Sequence, residues 1–435
     1  MDDILNYLYE LKREGIKLGL DTTRAFAEHL GNPQDKYKKI HIAGTNGKGS
    51  ISSYIYNILR QRYNTGLYTS PHLIKFNERI IFNKEMISDD YIINFISENR
   101  EYIDKLSKIK MNPTFFETTT VMAFKYFYDM HADYAAIEVG LGGRLDSTNI
   151  IIPEISIIGQ IGYEHYQKLG CSLTSIAYEK GGIIKPGIPV VLQDKKPEVL
   201  AEIKKLSQVR KSKLILSEDY SKSTEPELYN FKMVFDLKTP LNEYHIESNN
   251  LGLYQVKNIK TAVAALENMD TSINKHDVES GIDKAIWHGR MEIIRASPLV
   301  IIDSAHNPPA ASNLVPSFKK FIKKKPLLLI GMLSDKDVFS FLTIMRQLSD
   351  KIVLTMPNEP DRALDPDNIK DIASSIYRDV KIIKDPLSAY DYSLKNSDCI
   401  LVCGSMYLIG DIMSREKVGI LPFIDIGKKI SKEIG

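Results

Sequence analysis

Residues 38–59, KKIHIAGTNGKGSISSYIYNIL, constrain this chain more than any other stretch. A short apolar run ends in a glycine-rich turn, and helical spacing of Ile, Tyr and Leu follows at once. Strand, glycine turn and helix in that order form the context of a phosphate-binding loop, whose usual pattern is G-x-x-x-x-G-K-[ST]. Here the spacing differs: only Thr45 and Asn46 separate Gly44 from Gly47, and Gly49 stands between Lys48 and Ser50. Small residues let backbone N–H groups turn inward on phosphate oxygens, and the helix N-terminus adds the positive end of its dipole. Gly44, Thr45, Asn46, Gly47, Lys48, Gly49 and Ser50 are therefore a candidate nucleotide loop. In it Lys48 would neutralise the β- and γ-phosphates and Ser50 would approach Mg²⁺. A tight strand–helix turn that holds no ligand is the alternative.

The rest of the chain repeats the alternation. ADYAAIEVGLGG, EISIIGQIGYEH and IPVVLQD read as further strands, the first ending in a glycine turn, with helical patterns between them. Strands alternating with helices argue for a parallel α/β architecture. Residues 210–250 are polar and irregular and read as antiparallel strands or an insertion. LYQVKNIKTAVAALENM reads as a helix. After Trp287 the alternation restarts, with buried strands expected in LVIIDSAHNP, LLLIGMLSD, KIVLTMP and CILVCGSM. A length of 435 residues exceeds one typical core, so two domains are expected, with a boundary near 290–298.

Composition narrows the partners. The chain is 43% apolar and 26% charged, with a net charge of +2, which gives no reason to expect nucleic acid or an anionic membrane. No apolar run is long enough to span a bilayer. The N-terminus MDDILNYLYELKREGIKLGL reads as an amphipathic helix rather than a secretion signal. Three cysteines, Cys171, Cys399 and Cys403, suggest a reducing compartment without a disulfide framework. Cys399 and Cys403 share one face of a strand and read as core.

Candidate chemistry collects where strands end. Glu138 closes YAAIE, where a carboxylate faces the ligand crevice of an α/β sheet and could hold a hard cation. Asp146, in GRLDSTN, could touch substrate. Ser70 or His72, in YTSPHL, could face phosphates, although a Ser-Pro turn serves as well. Glu164 and His165 stand at a third strand end. Lys180, in EKGG, reads locally as a solvated charge. Asp303 and His306 follow a strand in IIDSAHNPPA and could meet a nucleotide or the transferred phosphoryl group. An Asx turn before the prolines is the plain alternative.

Taken together, the segments resemble the folylpolyglutamate synthase and dihydrofolate synthase family, within the Mur-type ATP-dependent amide ligases. HIAGTNGKGS resembles that family's variant loop, extra glycine included. YTSPHL with FNERI, FFETTT, IEVGLGGRLDSTN, IAYEKGGI, GRMEII, DSAHNPPA and CGSMYLIGDI follow in the family's order across most of the chain.

The resemblance implies a P-loop ATP-binding domain of the Mur-ligase type over 1–290, with a mainly parallel sheet. It also implies a smaller Rossmann-like glutamate-ligase domain over 298–435. It implies ATP and Mg²⁺ as cofactors, and phosphorylation of a folate-type carboxylate (dihydropteroate or a tetrahydrofolate) to an acyl phosphate that the amino group of L-glutamate attacks. Ser50, Ser70, Glu138 and His165 would serve magnesium, and Lys180 would be the carbamylated lysine that serves a second ion. Gln255 and Asn258 would lie near adenine, and Arg290 would reach phosphate. Asp303 and His306 would complete the ATP and acyl-phosphate chemistry.

Phe115, Phe116 and Asp146 are candidates for the pterin pocket, since aromatic rings stack on flat heterocycles. A cytoplasmic monomer is expected. The sequence departs from the family at Glu164, Cys171-Ser172, Gly181-Gly182 and His288. A P-loop ATPase or GTPase of another class, and a Mur-type ligase for a non-folate acid, are the alternatives.

Overall fold

The computed structural model describes residues 7, 8, 11, 19–163, 166–359 and 361–417. The N-terminal amphipathic helix falls almost wholly outside them, and so do Glu164 and His165. The chain forms two compact units. One comprises Met1–Ser223, Asp236–His245 and Lys257–Asp283; the other comprises Thr224–Phe235, Ile246–Val256 and Lys284 onward.

The first unit is built on eight strands: β1 Lys38–Ala43, β2 Thr65–Tyr68, β3 Ile80–Phe82, β4 Glu85–Met86, β5 Tyr134–Glu138, β6 Ile155–Ile158, β7 Val190–Leu192 and β8 Leu214–Leu216. Their order across the sheet is β4-β3-β2-β5-β1-β6-β7-β8. β2, β5, β1, β6, β7 and β8 run parallel, while β3 and β4 add an antiparallel edge. β5, β6 and β7 are buried at every position, which is why they read in sequence as mainly apolar runs, broken only by Ser156 and the terminal Glu138. One apolar cluster gathers Tyr68, Phe95, Phe124 and Phe127; another gathers Ile158, Ile176, Val190 and Ile203. The helix Lys48–Leu59 is buried at all but its first residue, and Lys275–Asp283 packs so tightly on it that a Cβ at Gly281 would lie 2.5 Å from the Ile58 Cα.

The polar middle holds four short strands, β9 Lys222–Ser223, β10 Glu227–Tyr229, β11 Lys232–Lys238 and β12 Glu243–Ser248. Both β9 and β10 pair antiparallel with β11, so the antiparallel reading of this stretch holds. The helix expected from LYQVKNIKTAVAALENM spans Leu253–Leu266.

The second unit carries a six-stranded sheet: β13 Glu292–Arg295, β14 Leu299–Ile302, β15 Leu327–Ile330, β16 Lys351–Leu354, β17 Asp379–Ile382 and β18 Cys399–Cys403, in the order β13-β14-β18-β15-β16-β17. Only β13 runs antiparallel to its neighbour. The four strands expected from sequence are β14, β15, β16 and β18. The two not expected, β13 and β17, lie at the edges and are at most half-buried at nearly every position, so they lack the apolar run that betrays a central strand. Cys399 and Cys403 are buried free thiols in β18, and Cys171 is an exposed one.

Candidate active site

β1 sits between β5 and β6; the chain crosses from β1 to β2 on one side, and later from β5 past β1 to β6 on the other. Crevices at such switch points, at the carboxyl ends of parallel strands, are where α/β sheets hold ligands. Ile42 pairs with Glu138 of β5 and Ala43 with Ile158 of β6, so the strand ends are level. The loop 44–50 and Glu138 leave the sheet side by side.

The loop is held from the β6 side. The N–H groups of Thr45 and Asn46 donate to the Gln160 carbonyl at 2.8 and 3.2 Å. Thr45 Oγ1 donates to the Gly162 carbonyl at 3.1 Å and accepts the Gly162 N–H at 3.0 Å. Gly47 has φ +86°, and a Cβ there would stand 2.7 Å from Asn258 Oδ1. Only glycine fits both demands. Asn258 is held in turn by Gln193, whose Nε2 donates to Oδ1 at 2.9 Å.

Two ammonium groups meet at one carbonyl. Lys48 Nζ donates to the Gly44 oxygen at 2.9 Å and to the Thr45 oxygen at 3.2 Å. Lys180 Nζ donates to the same Gly44 oxygen at 2.8 Å. Lys180 is only 2% exposed, so the solvated-charge reading of it is overturned. The helix Leu173–Gly181 delivers it inward, on a face shared with Ile176 and Ala177. Two positive charges at the start of a helix make a strong anion site.

Glu138 is 4% exposed, and its Oε2 accepts the Ser70 N–H at 3.2 Å, which brings the YTSPHL turn to the β5 end. His72 Nδ1 accepts from Arg79 Nε at 2.8 Å, so its proton sits on Nε2. Asp146 is also buried, but its oxygens serve its own turn: Oδ1 accepts from Thr148 N and Oγ1, and Oδ2 from Leu141 N at 2.8 Å. Burial raises its pKa against those bonds. Phe115 packs edge-on against Phe76 beneath the Arg79 guanidinium, within the core. Phe116 lies over Gly140, where a Cβ would come within 2.4 Å of its ring.

The other candidates belong to the second unit. Asp303 directly follows β14 and is buried. Its Oδ2 accepts from Tyr254 Oη at 2.7 Å and Met291 N at 2.9 Å, and its Oδ1 from Ala305 N at 2.8 Å. Burial pushes its carboxyl up, opposed by the charge of Arg290. The Arg290 turn is pinned from both sides: Ser304 N donates to the Gly289 oxygen, and Gly289 N donates to Glu292. His306 Nδ1 lies 2.8 Å from the Ser304 carbonyl and must carry the proton there, since a carbonyl only accepts. Two helices start at these strand ends, capped by Asn307 and Ser405. Gln255 is fully buried in the first turn of Leu253–Leu266. Gln160, Gly162, Gln193 and Tyr254 were not singled out in sequence, since each acts only through a long-range partner.

The Glu138 carboxylate and Ser70 stand together at the β5 end, and Ser50 lies in the first turn of the helix after β1. These suit a hard cation such as Mg²⁺. Among the described residues no three His, Cys, Asp or Glu side chains gather as a ready metal cluster. The unmodified Lys180 amine is a cation, not a ligand.

Family comparison agrees with this arrangement. Residues 42–266 match the Mur ligase middle domain, and 289–406 match the Mur ligase glutamate ligase domain. The dihydrofolate synthase/folylpolyglutamate synthase of Bacillus subtilis is 31% identical over 95% of this chain and 99% of its own. The chain belongs to the folylpolyglutamate synthase/dihydrofolate synthase family. Like its relatives it is an ATP-dependent ligase. A Mycobacterium tuberculosis folylpolyglutamate synthase solved with ADP and AMPPCP superposes with TM-score 0.89 at 28% identity, over 95% of this chain and 98% of that one. The Escherichia coli FolC structure, in complex with DHPP and ADP, gives 0.85 at 26%, over 95% and 97%.

Proposed function

We propose that this member of the synthase family joins L-glutamate to a folate-type carboxylate. ATP transfers its γ-phosphoryl group to the carboxylate, and the glutamate amine displaces phosphate from the resulting acyl phosphate. The observation that carries this reading is the convergence of the Lys48 and buried Lys180 side chains on the Gly44 carbonyl beside Glu138. Phosphoryl transfer needs positioning and neutralised charge more than covalent help from the protein.

Lys48 draws charge from the β- and γ-phosphates, while the loop N–H groups cradle them. Ser50, Ser70 and Glu138 hold magnesium, with His165 as a further ligand. Magnesium held by those residues would supply charge neutralisation at phosphate oxygens. Lys180 serves a second ion as a carbamate: the neutral amine attacks carbon dioxide, an N–C bond forms and a proton leaves. Asn258 and Gln255 read adenine. Arg290 contacts phosphate, and Asp303 and His306 act on the acyl phosphate. Phe115, Phe116 and Asp146 shape the pterin pocket, Asp146 by holding its turn.

The test is phosphate release with ATP and Mg²⁺, using dihydropteroate and tetrahydrofolate separately, each with and without L-glutamate. Glutamate-dependent release is expected. The acid that supports it identifies the step: the first glutamate, chain extension, or both. No release with either acid would overturn the folate assignment and leave a Mur-type ligase for another acid.

A further inference from the structure

His41 lies in the middle of β1, three residues before the nucleotide loop, and is fully buried. An apolar residue would serve a core strand there. The imidazole instead makes one contact: Nε2 stands 2.8 Å from Thr148 Oγ1. Its Nδ1 has no hydrogen-bond partner. Thr148 Oγ1 stands 2.5 Å from Asp146 Oδ1. Both Asp146 oxygens already accept backbone N–H groups, from Thr148 and Leu141, as an ionised carboxylate does.

The proton assignment follows from counting. A hydroxyl has one proton and a carboxylate has none to give. The Thr148 proton therefore goes to Asp146, and Thr148 must accept from the imidazole. His41 thus carries its proton on Nε2, and Nδ1 is bare. The opposite tautomer would bury an N–H with no acceptor, the costlier choice. Burial, aided by the charge of Lys185, pushes the imidazole pKa down to about 3, so the ring is neutral in any ordinary buffer.

We propose that His41 is a positioning residue for the magnesium and phosphate chemistry. Through Thr148 and Asp146 it ties the strand that delivers the nucleotide loop to the turn that leaves Glu138. Asp146 grips Leu141 N, three residues beyond Glu138. The relay therefore fixes the chain where the Glu138 carboxylate emerges, relative to the strand that carries Gly44. The bland alternative is a core histidine that adds only stability. The inference rests on the reading of Glu138 as a magnesium ligand.

Two measurements test it. Selective ¹⁵N labelling of histidine, with the His41 signal identified by its loss in His41→Gln, should show protonated Nε2 and bare Nδ1, unchanged over about pH 5–9. A proton on Nδ1, or titration in that range, overturns the assignment. His41→Leu should raise the Mg²⁺ concentration for half-maximal rate about tenfold and weaken calorimetric binding of Mg²⁺ with ADP by a similar factor. His41→Gln, whose amide restores an N–H donor, should recover most of the loss. If His41→Leu fails to fold, Thr148→Val should shift the Mg²⁺ requirement and Thr148→Ser should not.

Glu138→Gln separates the two ideas. If it leaves the Mg²⁺ requirement unchanged, the reading of Glu138 fails and this inference falls with it. If Glu138→Gln shifts the requirement while His41→Leu only lowers thermal stability, the relay is refuted and the Glu138 reading stands.

Discussion

Single residues at the β1 and β5 ends divide into those that carry charge and those that hold it in place. Lys180 is the clearest carrier. Lys180→Ala should abolish most ligase turnover while ATP binding persists, and added bicarbonate should not restore it; full activity in that variant would dispose of the carbamate. His41 makes a separate prediction about stability. Its folded pKa of about 3 lies below the unfolded value near 6.5, so the unfolded chain binds the extra proton first. The stabilisation is complete above about pH 6.5 and is lost as pH falls toward 3, at up to about 1.4 kcal/mol per pH unit. Denaturant melts of the wild type and His41→Gln between those limits should diverge with that slope; parallel curves would contradict the buried neutral ring.

Much of the residue-level chemistry was legible. Loop 44–50 and Glu138 announce themselves because strand ends and glycine turns have local signatures. Lys180 was not legible on local grounds: a charge in a helix reads as solvated until the strand it faces is known. His41 was missed for a similar reason. It sits in an apolar strand, and only the fold brings Thr148, more than a hundred residues away, to its Nε2.

At the scale of elements, legibility follows burial. Central strands such as β5 and β18 are buried throughout and mostly apolar, and show in the sequence; the edge strands β13 and β17 mix charge with apolar residues and do not. Packing between helices was invisible, because it hinges on a missing side chain. Gly281 lets the helix Lys275–Asp283 approach the backbone of Lys48–Leu59. Gly281→Ala would press a methyl on the Ile58 Cα, and overpacking of that kind costs about 1–3 kcal/mol. A thermal melt should show the loss, while activity well below the transition stays close to wild type. β18 gives an independent check. Burial pushes the Cys399 thiol up to about 11 and Cys403 still further from reactivity. A thiol reagent should therefore modify Cys171 alone in the native protein, and all three cysteines after unfolding. Rapid native labelling of β18 would contradict its position in the core.

For the whole molecule, the sequence conveyed two α/β regions but not how the chain is shared between them. The alternation of strand and helix is local; membership of a unit is not. Thr224–Phe235 and Ile246–Val256 group with the unit that begins again at Lys284. A fragment starting at Lys284 lacks both segments, including β10 and its pairing with β11. It should melt less cooperatively, and at lower temperature, than a version with the two segments supplied as a tethered insert; equal melts would show that the segments are dispensable.

The same interleaving has a consequence for biosynthesis. Thr224–Phe235 leaves the ribosome well before the residues it packs with, Lys284 onward, which take on the order of ten seconds to be made. During that interval the β10–β11 hairpin travels beside a nascent chain without the later residues it groups with in the finished unit. The first unit needs nothing beyond Asp283, so all of its chain has been made before Lys284 onward is synthesised. The first unit can therefore close while the second still waits for its larger part.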